Sequence, residues 1–149
     1  MDMDLGFALA DVTRLMRSRY DARMRELGLT GSTWRLLAYL YREDGQTQAQ
    51  LARLLEVSRA AVGQMIDRLE VSGHVERRDD ESDRRSWRVH LSARAHAELP
   101  ALIDTARALE AECFAGLAED EVAQLGALIA KLRERLIVVQ PAADAMESR

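Results

Sequence analysis

The chain has 149 residues, of which 48% are hydrophobic and 31% charged, a composition typical of a globular protein with one core or a small domain plus an oligomerisation element. No apolar run approaches the roughly 20 residues of a membrane span, and the acidic start MDMDLGFALADVTRL lacks the cationic region of a signal peptide. Cys113 is the sole cysteine, so no internal disulfide can form, and we expect a cytoplasmic protein.

The net charge of −4 argues against a protein coated with positive charge for non-specific binding to nucleic acid. The charge is unevenly distributed, however. Residues 53–94 contain nine arginines and eight acidic residues, whereas the remainder contains twelve basic and seventeen acidic residues. Twenty of the 21 basic residues are arginine, the side chain suited to bidentate contacts with phosphate and guanine. The composition therefore permits a localised DNA-binding face.

The first half of the chain predicts four helices. Apolar residues at helical spacing indicate a long first helix over residues 5–27 and a second over about 32–42. After a turn at Asp44-Gly45, Thr47 is expected to cap a short third helix. Ser58 is expected to cap a fourth helix that reaches about residue 71.

A β-hairpin is predicted next. Residues 75–79 indicate a short strand, residues 79–83 the hairpin loop, and residues 87–91 a return strand in which apolar and polar side chains alternate. Ser92 then begins another long helix that extends to about residue 116. Two short helices followed by such a ribbon are the plan of a winged helix-turn-helix.

The last predicted helix covers residues 119–139 and has apolar residues at alternating spacings of three and four. This pattern is typical of a seam along which one helix packs on another, and an ordinary core-facing stripe is the alternative. The residues of the stripe are Val122, Leu125, Ile129, Leu132, Leu136 and Val139.

The fourth helix has the character of a DNA-recognition helix. Val62, Met65, Ile66 and Leu69 share one side, and the opposite side is small and polar, so that it fits a major groove. A glutamine there can pair with adenine, an arginine can hold a phosphate or guanine, and the helix N-terminus suits a phosphate. A solvated helix face is the alternative. The candidate contacts, with the cap of the preceding helix, are Thr47, Ser58, Arg59, Ala60, Gln64 and Arg68.

The predicted hairpin ends in a charged tip. Four acidic residues there would repel phosphates unless they were paired, so at least Asp83 is expected to orient an arginine. Arg84 and Arg85 are well placed at the tip of a ribbon to enter a narrow, electronegative minor groove. A charged loop on a solvated hairpin is the alternative, but the helix face and the tip together favour DNA binding.

These residues resemble the MarR family of bacterial transcriptional regulators, and within it the SlyA-like branch, over about residues 5–139. The resemblance depends on motifs in the second to fourth helices and above all on an Asp-x-Arg tip followed by a Leu-Ser helix start. The motifs are Leu29-Thr30 with Trp34, Leu51-Ala52 with Val57-Ser58, Ile66-Asp67-Arg68-Leu69-Glu70, Gly73-His74-Val75-Glu76-Arg77, and Asp83-Arg84-Arg85 with Leu91-Ser92. Gly63 departs from the family, which usually has threonine there.

The resemblance implies a mainly α fold with a small β-hairpin wing. Residues 1–28 and 93–140 would form a helical dimerisation region, residues 29–92 a winged helix-turn-helix lobe, and residues 141–149 a flexible tail. It implies a nucleoid-associated homodimer on a pseudo-palindromic operator, with Arg85 in the minor groove and Asp83 bracing it. The residues expected along the dimer seam are Leu5, Leu9, Val12, Leu125, Ile129, Leu132 and Leu136.

The resemblance also implies control by a small aromatic anion, because phenolic compounds such as salicylate bind where the family's dimerisation region meets its DNA-binding lobes. The first two helices offer an apolar wall for such a ligand and two polar side chains for its carboxylate. A core role for the aromatic residues is the alternative. The candidate pocket consists of Val12, Met16, Arg17, Tyr20, Ser32, Trp34 and Ala38.

Other classes of protein fit the sequence less well. A phosphate loop, a nucleophile elbow and the spacings of metal ligands are all missing, so we expect neither an enzyme nor a cofactor. A zinc site at His74, His90 and His96 would require the fold to gather them. A helical protein-interaction module would have no use for the arginine tip. A thiol-responsive regulator is a further alternative, but we interpret Cys113 as a packing residue, because it has no adjacent cation in sequence to favour a thiolate.

Overall fold

The computed structural model describes residues 4–29 and 33–139, and within these ranges the chain forms six helices and three short strands. The elements in chain order are α1 (Leu5–Glu26), α2 (Thr33–Arg42), β1 (Gln46–Thr47), α3 (Gln48–Leu55), α4 (Arg59–Val71), β2 (Val75–Asp79), β3 (Trp87–Leu91), α5 (Ala93–Phe114) and α6 (Glu119–Val139). The fold class predicted from the sequence is confirmed.

Side-chain caps lie at the start of α3 and α4, as predicted. Thr47 accepts a hydrogen bond from the backbone N–H of Gln50, and the Gln50 side chain accepts one from the N–H of Thr47, which completes a capping box. Ser58 accepts a hydrogen bond from the N–H of Ala61. Each cap contributes about 1 kcal/mol, so the start of both helices is fixed locally.

A three-stranded antiparallel sheet lies beside these helices, in the order β1-β3-β2. β2 and β3 pair from Val75 opposite Leu91 to Asp79 opposite Trp87. β1 was not predicted: it adds two residues to the free edge of β3, with Gln46 opposite Val89.

The predicted position of the hairpin loop, residues 79–83, is wrong. Asp79 is paired within β2, and the turn covers residues 80–86. The reason is that two aspartates each hold a turn: the Asp80 carboxylate accepts from the N–H of Ser82, and the Asp83 carboxylate accepts from the N–H of Arg85. The hairpin β2–turn–β3, residues 75–91, is called the wing below.

One hydrophobic core joins α2, α3, α4, the sheet and the start of α5. Leu36, Leu40, Leu51 and Val89 are completely buried in it. The predicted inner side of α4 is confirmed, since its four apolar residues are all buried. Burial of this stripe fixes the rotation of α4 and leaves its opposite face outside.

The chain divides into two compact units, Met1–Leu109 and Glu110–Arg149. In the first unit, α1 is held by the buried Met24 and by the Tyr20 hydroxyl, which donates to the carbonyl of Ala106 at 3.3 Å. The second unit contains the end of α5 and α6. The predicted division into a dimerisation region and a DNA-binding lobe stays a prediction, and the predicted tail lies outside the described residues. None of the described helices is long and apolar enough to cross a membrane.

Candidate nucleic-acid interface

The outer face of α4 carries the side chains that the sequence predicts for DNA contact. Ala60, Gln64 and Arg68 are four residues apart and exposed, on the side away from the buried Val62 and Ile66. Small and polar side chains with one cation make this face compatible with a major groove. The other predicted residues are Ser58 and Arg59, which are exposed at the start of α4, and Thr47, which is half-buried at the start of α3.

Arg77 of β2 connects α4 to the wing, and sequence reasoning missed this role. Its guanidinium contacts the carboxylates of Asp67 and Glu70 on α4, each at 2.6 Å, and lies 4.4 Å from the ring centroid of Trp87 on β3. The available signal was its position in the strand, because Arg77 alternates in phase with the buried Val75 and so points toward the helix. The contact offsets part of the negative charge of Asp67 on the outer side of α4.

Asp80 ties the turn of the wing to the central strand β3, and it too was missed. One carboxylate oxygen accepts from the N–H and hydroxyl of Ser82, and the other accepts from Nε of Arg88 at 3.0 Å. Arg88 also donates to the carbonyl of Gly45, beside β1, at 2.9 Å. The hydrogen bonds from Ser82, and the nearby Arg88 cation, hold the pKa of Asp80 below its usual value.

The arginines at the tip of the wing have the exposure that a minor-groove contact requires. Arg84 and Arg85 are exposed, and neither side chain has a partner among the residues that the structure describes. Asp83 contacts Arg85, but through the backbone: its carboxylate accepts from the N–H of Arg85 at 3.0 Å. Asp83 therefore shapes the turn that presents Arg85 rather than pairing with its guanidinium.

The residues predicted for a ligand pocket fall into separate places. Tyr20 and Trp34 stack with their ring centroids 5.4 Å apart, and the indole N–H of Trp34 donates to the carboxylate of Asp21 at 2.8 Å. Val12 is exposed, whereas Met16 and Ala38 are half-buried. Ser32 lies outside the described residues. The aromatic pair thus packs α1 against α2.

Arg17 lies in a surface groove of about 370 Å³ on α1. The groove is lined by Arg14, Arg17, Ser18, Asp21 and Arg25. Asp21 is shared with Trp34, so the groove borders the aromatic pair through this carboxylate. Arg14 is paired with Asp11 at 2.6 Å, but Arg17 and Arg25 still outnumber Asp21, so the groove keeps an excess of positive charge.

The residues predicted for a dimer seam are largely exposed within the chain. On α1, Leu5 and Val12 are 72% and 53% exposed, and on α6, Leu132 and Leu136 are 44% and 57% exposed. Leu9 and Ile129 are also exposed, and Leu125 is half-buried. Large apolar side chains that recur at helical spacing normally pack against another protein surface rather than contact water.

Comparison with known proteins agrees with the winged architecture. The model of the MarR family matches residues 27–86. A probable transcriptional regulator from Pseudomonas aeruginosa is 32% identical over 88% of this chain and 98% of its own, with a TM-score of 0.68. The apo form of MarR from E. coli is 26% identical over 89% of this chain and 98% of its own, with a TM-score of 0.79. The chain belongs to the MarR family.

MarR-family proteins are transcriptional regulators and not enzymes, which confirms the predicted class of this chain. SlyA has the same fold, with a TM-score of 0.75 over 90% of this chain and 94% of its own, at 23% identity. At that identity the likeness shows the fold alone.

His74 and His90 have separate surroundings in this MarR-family chain. His74 lies between the Ser72 hydroxyl and the Glu98 carboxylate, at 2.6 and 2.8 Å, whereas His90 lies 3.4 Å from Asp44. Glu98 also accepts from Arg94, and the hydrogen bonds from Arg94 and then His74 lower its pKa. Among the described residues, no three candidate ligands cluster in a way that could hold a metal ion.

The Asp80 contacts predict a pH-dependent wing. A carboxylate whose pKa is depressed in the folded state stabilises the fold above its unfolded pKa of about 3.9, and that contribution is lost as the pH falls through the folded-state pKa. Asp80→Asn should therefore lower the Tm at pH 7, and the difference from the wild type should shrink in acid below about pH 4. Thermal unfolding followed by circular dichroism across this range measures both.

Asp79→Asn is the matched control, since Asp79 is the exposed neighbour in β2. It should change the Tm at pH 7 less than Asp80→Asn. Equal Tm values for Asp80→Asn and the wild type at pH 7 would contradict the bracing role.

Proposed function

We propose that this chain is a sequence-specific DNA-binding regulator that acts as a homodimer on a pseudo-palindromic operator, within the SlyA-like branch of the MarR family. The observation that carries the proposal is that two candidate DNA-binding parts, the outer face of α4 and the tip of the wing, are both exposed and are connected to each other. The exposed face of α4 and the exposed Arg84 and Arg85 belong to one unit, and Arg77 ties their elements together. Between them, Asp67 and Glu70 pair with Arg77, Asp80 pairs with Arg88, and Asp83 accepts a hydrogen bond from a backbone N–H group.

Each part then has its own role on DNA. Gln64 reads a base edge in the major groove, and Arg68 holds a phosphate or a guanine. Ser58 and Arg59 approach a phosphate at the N-terminus of α4. Arg85, with Arg84 beside it, enters the neighbouring minor groove, where a narrow groove concentrates negative potential. Asp83 sets the turn from which Arg85 extends.

The exposed apolar residues of α1 and α6 support the homodimer. They recur at helical spacing on both helices, and α6 has no buried side chain among its described residues. A second copy offers the same exposed apolar residues, so a symmetric association covers them in both copies. Two recognition helices related by that symmetry meet successive major grooves about one helical turn apart.

Arg85→Ala should weaken operator binding about tenfold to a hundredfold, because it removes a charged contact in the minor groove. Arg68→Ala should lower affinity more uniformly across DNA sequences. If Arg68 holds one phosphate, the slope of the logarithm of the binding constant against the logarithm of the salt concentration should become shallower by about 1. Fluorescence anisotropy with a labelled duplex at several salt concentrations measures both effects.

Arg107→Ala is the control for loss of one positive charge, because Arg107 is an exposed arginine of α5 outside both DNA-binding parts. It should bind as the wild type does. An Arg85→Ala protein with wild-type affinity for the operator would refute the assignment of the wing.

Leu132→Asp should dissociate or unfold the proposed dimer, because neither copy offers a partner for a carboxylate placed in the apolar seam. Light scattering gives the oligomeric state, and circular dichroism gives the fold. Lys131→Asp introduces the same side chain one residue away from the seam and should leave a dimer. A stable monomeric Leu132→Asp that binds the operator with full affinity would contradict the arrangement.

We further propose that a small aromatic anion modulates DNA binding from α1, with its carboxylate on Arg17. The electropositive groove around Arg17, bordered by the Tyr20–Trp34 pair, supports this site. A ligand weakens operator binding only if it favours a conformation that the operator disfavours.

Millimolar salicylate should release a fluorescent operator from the wild-type protein, and Arg17→Ala should reduce that release. Arg19→Ala serves as the control, since Arg19 is a neighbouring exposed arginine of α1 that does not line the groove. Release that is equal in both variants would exclude Arg17 as the anchor, and unchanged affinity in salicylate would exclude this ligand.

A further inference from the structure

Gln48, the first residue of α3, reaches across to the first turn of α4. Its Nε2 donates to the backbone carbonyl of Arg59 at 2.8 Å. Within the part of the chain that the structure describes, Oε1 and the second amide hydrogen of Gln48 have no protein partner. The side chain is therefore anchored at one atom beside the exposed start of α4 and still has one acceptor and one donor to offer.

Gly63 leaves the space that this side chain occupies. A Cβ built on Gly63 would lie 3.0 Å from Nε2 of Gln48 and 3.8 Å from its Cδ. The backbone of Gly63 does not have a positive φ, so its conformation does not require glycine. Because glycine is unfavourable inside a helix relative to alanine, the missing side chain has a steric explanation in the position of Gln48.

We propose that Gln48 is a base-reading residue of the DNA interface and that Gly63 leaves room for its present position. A carboxamide with a donor and an acceptor is the complement of the adenine edge in the major groove. The anchor on Arg59 places this carboxamide at the N-terminal end of the recognition helix, the end whose residues contact bases in helix-turn-helix proteins. The reading surface thus includes a side chain from α3 in addition to those of α4.

This inference rests on the proposed function, and one experiment separates the two. Full-length wild type, Gln48→Ala and Gln124→Ala each select duplexes from a random pool, and the selected DNA is sequenced. Gln124 is an exposed glutamine of α6 and serves as the control. We expect Gln48→Ala to lose the preference for adenine at one position of each half-site and to bind the wild-type sequence about tenfold more weakly. Gln124→Ala should select the wild-type sequence.

Gly63→Ala tests the seating of Gln48 by a different route. The added methyl group would lie 3.0 Å from Nε2 of Gln48 and forces that amide to shift, so this variant should weaken the preference at the same position as Gln48→Ala. In the double variant the two changes should be non-additive, with the affinity of Gln48→Ala alone. Thermal unfolding of each variant checks the fold, and alanine in the helix should leave the Tm of Gly63→Ala unchanged or higher.

The outcomes are distinct. If the wild type selects no sequence, the proposed function fails. If the wild type selects a sequence and Gln48→Ala selects the same one with the same affinity, only the role of Gln48 is overturned. A uniform loss of affinity without a change in sequence preference would make Gln48 a phosphate contact and would also overturn base reading.

Discussion

Arg77 couples the two parts of the proposed DNA-binding surface, because its single guanidinium contacts two acids of α4 and the ring of Trp87 in the wing. The Asp67 carboxylate is 65% exposed, and exposed ion pairs contribute only about 0–1 kcal/mol to stability. Stability is therefore the smaller consequence. The larger one is that Arg77 offsets part of the negative charge of α4 and connects the wing to that helix.

Local pairing of charges also explains how an acidic protein can present the proposed DNA-binding surface. The net charge of −4 is the sum over the chain, whereas a phosphate responds to charges within about 10 Å at moderate salt. Around the wing, Asp80 faces Arg88, and Asp83 faces a backbone N–H group. These acids shape the turn, and the exposed arginines at its tip face solvent without a competing carboxylate partner among the described residues.

The sequence predicts those parts of the structure that local physics determines. The caps at Thr47 and Ser58 follow from hydroxyls within three residues of the N–H groups they accept from, and the strand over residues 87–91 follows from its alternation. The missed features join residues that lie on different helices and strands. Arg88 donates to a carbonyl 43 residues away, and Gln48 reaches the start of another helix. Such partners are determined by how the elements pack, which no local pattern records.

The exposed seam has a further consequence for the proposed regulator. A helix in water gains most of its stability from packing rather than from intrinsic propensity, and α6 buries none of its described side chains within one chain. In the proposed homodimer, association of two copies therefore does two things: it covers α6, and it brings together the two recognition helices that bind the two half-sites. Affinity for the operator should then fall at protein concentrations where the dimer dissociates, because a monomer offers one recognition helix and an uncovered α6.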